Sequence, residues 1–537
     1  MIILAKEFNT TAVCIPKLHY MVNLDSRLKE IKKMIDCGKY FTINQARQYG
    51  KTTVLHALHQ YLQSDYYVIS MDFQMFDFAK FQNAHIFSIS FGRLFLKLLK
   101  KNITNIDENL KDAISEFQKD LENGNTNFTL LELFENISTI CSYTDKPLIL
   151  IIDEVDSATN NQVFLDFLAQ LRGYYINRNI QPTFQSVILA GVYDVKNLKL
   201  KFRTDHEHKI NSPWNIAADF NVDMSFSKED ILSMLREYES DYQLGMNTNE
   251  LASLLYNYTS GYPFLVSRLC KLLDEDICIK KFNKNRQKTW TKDGFQEAVK
   301  LLLTEKNTLF ESLTEKLLSF PELTKMLQSL LFTGKNIPYN FYESSINIAT
   351  LFGFVKNQNG NLAIANRIFD TWLYNFFLSS SEMHEKDIYK ISLQDKNQFI
   401  VNGNLNMRLI LEKFVVHFHD LYGNCSEQFL EDEGRKYFLL YLRPIINGTG
   451  NYYIESQTRD LRRTDIIIDY NKNQYIVEMK IWHGDEYNHR GEQQLVSYLD
   501  TYHQTKGYMI SFNFNKNKQI GVKEVMINDK VLIEATV

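Results

Sequence analysis

An aspartate at 465, a glutamate at 478 and a lysine at 480 stand in two short apolar runs, 464–469 and 474–482. Between the runs lie Tyr470, Asn471, Lys472 and Asn473, a turn-prone group, so the pair reads as a β-hairpin. If the hairpin closes evenly, Asp465 lies across from Glu478, and the period of two along a strand puts Lys480 on that same face. Ile466, Ile468, Val477, Met479 and Ile481 then point the other way, into a core. Two carboxylates can hold a hard divalent cation through oxygen, and a nearby ammonium can steer or polarise a water. Such a set suits phosphodiester cleavage. The plainer alternative is a solvated face carrying a cross-strand ion pair.

A second constellation lies near the other end. Residues 39–44 read as a short strand, Gln45 to Gly50 as a loop, and Lys51, Thr52 and Thr53 as the start of an amphipathic helix. Strand, loop and helix start are the context that a phosphate-binding loop needs. Lys51 would reach the β- and γ-phosphates of ATP, Thr52 would ligate Mg²⁺, and amides around Gly50 and Thr53 would cradle phosphate oxygens. The pattern's first glycine is replaced by Gln45.

About 100 residues on, residues 147–152 are an unbroken apolar run ending in Asp153 and Glu154. A parallel strand buried on both faces reads this way. Asp153 at its end can hold Mg²⁺ through water, and Glu154 can orient the hydrolytic water. Residues 66–72 and 186–192 are further buried strands, and 221–226 is expected as a last one. Strands alternating with helical stretches imply a mostly parallel sheet with its ligand at the carboxyl ends. These features resemble AAA+ and STAND-type ATPases. The resemblance places a sensor near Tyr193 and Asp194, neither of them the usual residue. It likens 259–270 to the start of a helix in the small lid, with Arg268 facing the phosphates. A trans-acting arginine is left open among Arg172, Arg178 and Arg203.

Around the acidic hairpin, a helical stretch at 426–443 precedes, a helix at 492–500 follows, and a strand at 507–512 comes next. The order and residues resemble the PD-(D/E)XK nuclease superfamily over roughly 400–537. The resemblance implies Mg²⁺ on Asp465 and Glu478, Lys480 assisting the attacking water, and Gln494 and Tyr498 as a QxxxY pair one turn apart. It adds an acid from the first helix, Glu433 in preference to Glu431. Thr464 stands where the motif has proline.

Between these modules, two helical stretches (322–331 and 345–351) and a hairpin turning at Asn359-Gly360 resemble a winged helix. The expected architecture is therefore α/β and multidomain. It comprises a parallel-sheet P-loop ATPase core (1–226), a helical lid (227–285), a winged-helix module (286–380), a linker (381–399) and a C-terminal α/β nuclease domain (400–537). As a whole the chain resembles bacterial AAA-like ATPases fused to a PD-(D/E)XK nuclease, which implies a place in defence or mobile-element biology.

Composition is consistent with this without discriminating. The chain has 537 residues, 45% of them hydrophobic, and a net charge of −4, so nucleic acid (DNA before RNA) would be met by local patches. Candidate patches are Arg459, Arg462 and Arg463, with Lys436 and Arg443 on the preceding helix. Six cysteines without metal spacing and no bilayer-length apolar run point to a cytoplasmic protein with no membrane partner. A homo-oligomer and a protein trigger follow from the resemblance alone. The rival expectation is an ATP-switched scaffold whose nuclease-like domain only binds nucleic acid or a partner.

Overall fold

The computed structural model describes residues 6–103, 106–122, 127–192, 214–332, 337–423, 427–446, 450–455, 464–471, 473–482, 484–502, 504–513 and 519–537; the side chains of 427–433, 451–455 and a few further residues, Asp465 among them, lie outside that description. The chain divides into two compact units. One comprises Met1–Tyr242 with Tyr262–Lys271, the other Gln243–Gly261 with Leu272–Val537. The stretch expected as one lid is thus shared between the two units.

The first unit is built on four parallel strands, β1 (Phe41–Asn44), β2 (Tyr67–Asp72), β3 (Leu148–Asp153) and β4 (Ser186–Gly191), in the order β1-β4-β3-β2. All six residues of β3 are buried, as expected of a strand with helices on both sides. One side of the sheet carries an aromatic-rich core that includes Phe73, Phe87, Phe91, Phe134, Phe164 and Phe167. Burying each such ring contributes roughly 1.5–3 kcal/mol, and the same core takes residues of β2, β3 and β4. Helix α1 (Lys51–Leu62) follows β1 directly after the loop, and α2 (Pro263–Lys271) belongs to the same unit.

The expected strand at 221–226 does not form. The outer edge of β1 carries an isolated bridge, Phe41 to Ala218, with the Ala218 amide donating to Tyr40 O at 2.8 Å. Downstream, Asp223 accepts from the Ser225 amide at 2.9 Å and bends the chain. Arg27 then takes the carbonyls that a ladder would need, donating to Asp223 O at 3.0 Å and Ser225 O at 2.6 Å.

In the second unit, α3 (Lys292–Thr304) precedes α4 (Pro321–Phe332) and α5 (Ser344–Leu351), which lead to the hairpin β5 (Val355–Gln358) and β6 (Asn361–Ile364). Asn359 and Gly360 both take positive φ, 52° and 84°, the turn geometry that matches strand twist. Residues 381–399, expected as a linker, are instead folded. They form helices Ser381–His384 and Asp387–Asp395, with Ile388 and Ser392 buried. A small hairpin, β7 (Ile400–Val401) and β8 (Asn404–Leu405), comes next.

The C-terminal sheet has six strands: β9 (Gly450–Glu455), β10 (Thr464–Tyr470), β11 (Asn473–Ile481), β12 (Lys506–Phe512), β13 (Gly521–Ile527) and β14 (Lys530–Thr536). Their order is β13-β14-β12-β11-β10-β9. Neighbours β9, β10 and β11 run antiparallel, whereas β11, β12 and β14 run parallel. Helices α6 (Met407–Tyr422) and α7 (Glu427–Ile446) cover one face, where Phe418 meets Phe512 with centroids 6.1 Å apart. Gly434 of α7 lies so near Phe512 that a Cβ would fall 2.7 Å from its ring. Helix α8 (Asp485–Thr501) covers the other face, packing Leu495 and Leu499 on Ile476, Met509 and Leu532. On the polar side of β11, Ile476, Glu478 and Lys480 are all buried, whereas the plainer reading of the sequence had a solvated face there.

Candidate functional site

The loop after β1 is held at both ends. Its first amide, Gln45 N, donates to Gly191 O of β4 at 3.2 Å. Its last residue, Gly50, caps α1 with φ of 81°, and Gln48 is also left-handed at 58°. Positive φ is strained for a non-glycine residue, so the loop turns at Gln48 and Gly50 without a glycine at 45. Lys51 is buried, and its ammonium donates to Gln45 O at 2.9 Å and Ala46 O at 3.2 Å. The lysine thus braces the loop from inside. Burial lowers its pKa, opposed by the charges of Glu154, Asp156 and Asp153.

The end of β3 meets the start of α1. Thr52 Oγ1 donates to Asp153 Oδ2 at 2.9 Å, while the Glu154 amide donates to Asp153 Oδ1 at 2.9 Å. Burial raises the pKa of Asp153 despite these two donors. Glu154 is half-buried with φ of 53°, and burial, then the Asp153 charge, raises its pKa as well. A hydroxyl and a carboxylate at this distance form a pair of hard oxygen donors, chemically suited to Mg²⁺. Thr53, by contrast, uses its hydroxyl to accept from the Cys14 amide at 3.2 Å.

The C-terminal acids lie on strands in the expected register. Asp465 pairs with Glu478 across β10 and β11, and with Glu455 on β9. Glu478 is 0% exposed and Lys480 4%. The Lys480 ammonium donates to Asn488 O of α8 at 2.8 Å, over Gly491, where a Cβ would strike that ammonium. Asn488 also receives Ser511 Oγ at 3.3 Å and donates to Glu492 at 2.9 Å. Burial and the neighbouring Glu492 push Glu534 up, although Lys523 pairs with it at 2.9 Å. Among the described residues no three His, Cys, Asp or Glu side chains cluster to hold a metal. Gln494 and Tyr498 are half-buried on α8, and Glu433 lies on α7 with its side chain outside the described residues.

A model of the AAA-like domain matches residues 18–374, about two thirds of the chain. The chain belongs to the AAA-like domain family. Its parallel sheet is a P-loop ATPase-like core, consistent with ATP binding and hydrolysis. Among solved structures, a Walker-type ATPase of Pyrococcus abyssi is similar at 13% identity, TM-score 0.45, covering 68% of this chain and 99% of that one. The ORC2 protein of Aeropyrum pernix, solved as ADPNP and ADP complexes, is similar at 10% identity and TM-score 0.39, with 69% and 98% covered. The ORC1 protein of the same organism, solved with DNA, has 9% identity and TM-score 0.29, with 66% and 93% covered. No curated protein matches in sequence.

The AAA-like domain also uses residues that spacing did not reveal. Asp156 accepts from the Val192 amide at 2.7 Å, tying β3's loop to the end of β4. Tyr262, just before α2, donates to Arg47 O at 2.6 Å and packs edge-on to Tyr49 with centroids 4.7 Å apart. The helix carrying Arg268 is thereby tied to the loop. Among the arginines considered, Arg178 serves the scaffold, donating to Gly38 O at 2.8 Å. Tyr193, Asp194, Arg203, Arg459, Arg462 and Arg463 lie outside the described residues. Of the suggested basic patch, Arg443 donates to Ser379 Oγ at 2.7 Å and Lys436 sits over the Phe332 ring, so both serve packing. Among the described residues no helix is long and apolar enough to cross a membrane.

Proposed function

We propose that the protein is an ATP-hydrolysing switch coupled to a Mg²⁺-dependent nuclease of the PD-(D/E)XK type, acting on DNA. The observation that carries the first part is the Thr52–Asp153 hydrogen bond at 2.9 Å. It sets two oxygen ligands where a Mg²⁺ bound with ATP would spread phosphate charge. Lys51, which donates to the loop carbonyls of Gln45 and Ala46, would be the residue that holds phosphate oxygens when ATP is bound. The raised pKa of Glu154 suits a group that accepts a proton from water. Arg268, Gly50 and Thr53 complete the nucleotide pocket in this reading.

The nuclease half is supported by strand order and register, with Asp465 opposite Glu478 and Lys480 two residues on. Asp465 and Glu478 would hold Mg²⁺, which would supply a polarised water. Lys480 would orient that water, and Glu433, Gln494 and Tyr498 would shape the site. A winged helix formed by α4, α5 and the β5-β6 hairpin, a homo-oligomeric assembly, a cytoplasmic setting and a role in defence or mobile-element biology belong to the same proposal.

A second reading is favoured by one observation. Glu478 is fully buried and Lys480 is committed to Asn488 O, which suits a binding platform. Plasmid cleavage by the full chain with Mg²⁺, with and without ATP, separates the two. The nuclease reading expects ATP-dependent nicking that Asp465→Ala abolishes; equal cutting by parent and variant would assign it elsewhere, and no cutting favours the platform.

A further inference from the structure

A groove of about 740 Å³ opens in the second unit, inside the roughly 300–1,000 Å³ range of small-ligand sites. One wall is α3 with Lys281 and Phe282, and the other is the sheet end around Gln474, Gln504 and Tyr508. Gln474 precedes Lys480 by six residues on β11, about 20 Å along a strand. The groove is therefore remote from the acidic hairpin's candidate residues.

Its lining has three chemistries. Tyr475, Tyr508 and Phe282 supply rings. Tyr475 is fixed by accepting the Leu405 amide at 3.0 Å, and its centroid lies 6.3 Å from that of Tyr508. Carboxamides form the second group. Asn473 donates to Asn404 Oδ1 at 2.6 Å, which leaves an Asn404 N–H and the Asn473 carbonyl as adjacent donor and acceptor. Gln296 and Gln504 add further amides, both half-buried.

The third group is charged. Lys281 and Lys300 both pair with Glu297, at 3.3 Å and 3.0 Å. Lys292 and Lys506 have no ion-pair partner among the described residues. Asp293 and Asp469 also line the groove, the latter accepting from Gln474 at 3.0 Å. Four lysines against three carboxylates is too even a balance for a nucleic-acid track, which requires a dense basic stripe. Two free ammoniums suit one or two phosphates.

We propose that this groove binds a nucleotide-type small ligand, with a planar polar ring on the aromatic and carboxamide wall and its phosphate on Lys292 and Lys506. Rings favour stacking on flat partners, and a neighbouring donor and acceptor match a base edge. The site is separate from the ATP loop, so its occupancy would signal to the second unit independently.

Calorimetric titration of the full chain with the 5′-phosphorylated dinucleotide pApA tests this, with adenosine and ribose 5-phosphate as half-ligands. The expected result is saturable pApA binding that persists in Lys51→Ala, with each half-ligand weaker. Combining Lys292→Ala with Lys506→Ala should weaken pApA at least tenfold while leaving thermal unfolding unchanged, because both side chains are exposed. Gln504→Ala should weaken pApA and adenosine but not ribose 5-phosphate. The proposal is overturned if pApA does not bind, if the lysine pair is without effect, or if Lys51→Ala removes the binding. Binding only of a 20-nucleotide single strand, growing with length, would overturn it in favour of a nucleic-acid track.

Discussion

At the scale of single residues, the proposed ATP site keeps charges in a place that disfavours them. Burial raises the pKa of both Asp153 and Glu154, so each ionises less readily in the folded chain than in the unfolded one. A raised acid contributes stability below its unfolded pKa, and that contribution is lost as pH rises through the folded value. At neutral pH these two carboxylates therefore work against the fold when no nucleotide is bound. Asp153→Asn should raise the thermal midpoint at pH 7 without nucleotide, and the gain should shrink towards about pH 4, where the unfolded acid protonates. Thermal scans at the two pH values check this. The placement of Lys51 and Thr52 at a helix start, and of Asp153 and Glu154 at a strand's end, was legible because their spacing repeats a loop and strand-end pattern. Tyr262 and Asp156 were not, since each acts through one distant backbone group that no local pattern encodes.

At the scale of elements, the parallel strands were readable from unbroken apolar runs, and β3 is buried throughout. Residues 221–226 alternate as a strand would, yet Arg27 occupies their carbonyls, a contact from nearly 200 residues away. The stretch 381–399 read as a linker from Ser379–Ser381 and the polar residues after them, yet Ile388, Ser392 and Phe399 are buried within it. The hairpin register was legible from its turn, but the covering of its polar face by α8 was not. The join of β3's loop to β4 offers a test. A Cβ at Gly191 would lie 2.7 Å from Asp156 Oδ1 and disturb the bond from Val192. Gly191→Ala should cost about 1–3 kcal/mol by urea unfolding, the usual range for forced overpacking.

For the molecule as a whole, a ligand that binds only the folded chain stabilises it by mass action, about 2.7 kcal/mol at one hundred times Kd. ATP with Mg²⁺ should therefore raise the unfolding temperature of the parent chain. Chelation with EDTA should remove most of that rise. Thr52→Val should behave as the chelated parent does, because it lacks the hydroxyl that pairs with Asp153. A midpoint that ignores Mg²⁺ in the parent would contradict the paired-oxygen site.

The most direct measurement is steady-state release of phosphate from ATP by the full chain, with Lys51→Ala and Glu154→Gln alongside. Turnover in the parent should depend on Mg²⁺, and Lys51→Ala should lose ATP binding. Glu154→Gln should still bind ATP while hydrolysing it about 10²–10⁴-fold more slowly, the range for a positioned general base. Turnover in Glu154→Gln equal to the parent's, or ATP binding undiminished in Lys51→Ala, would contradict the proposed ATP site.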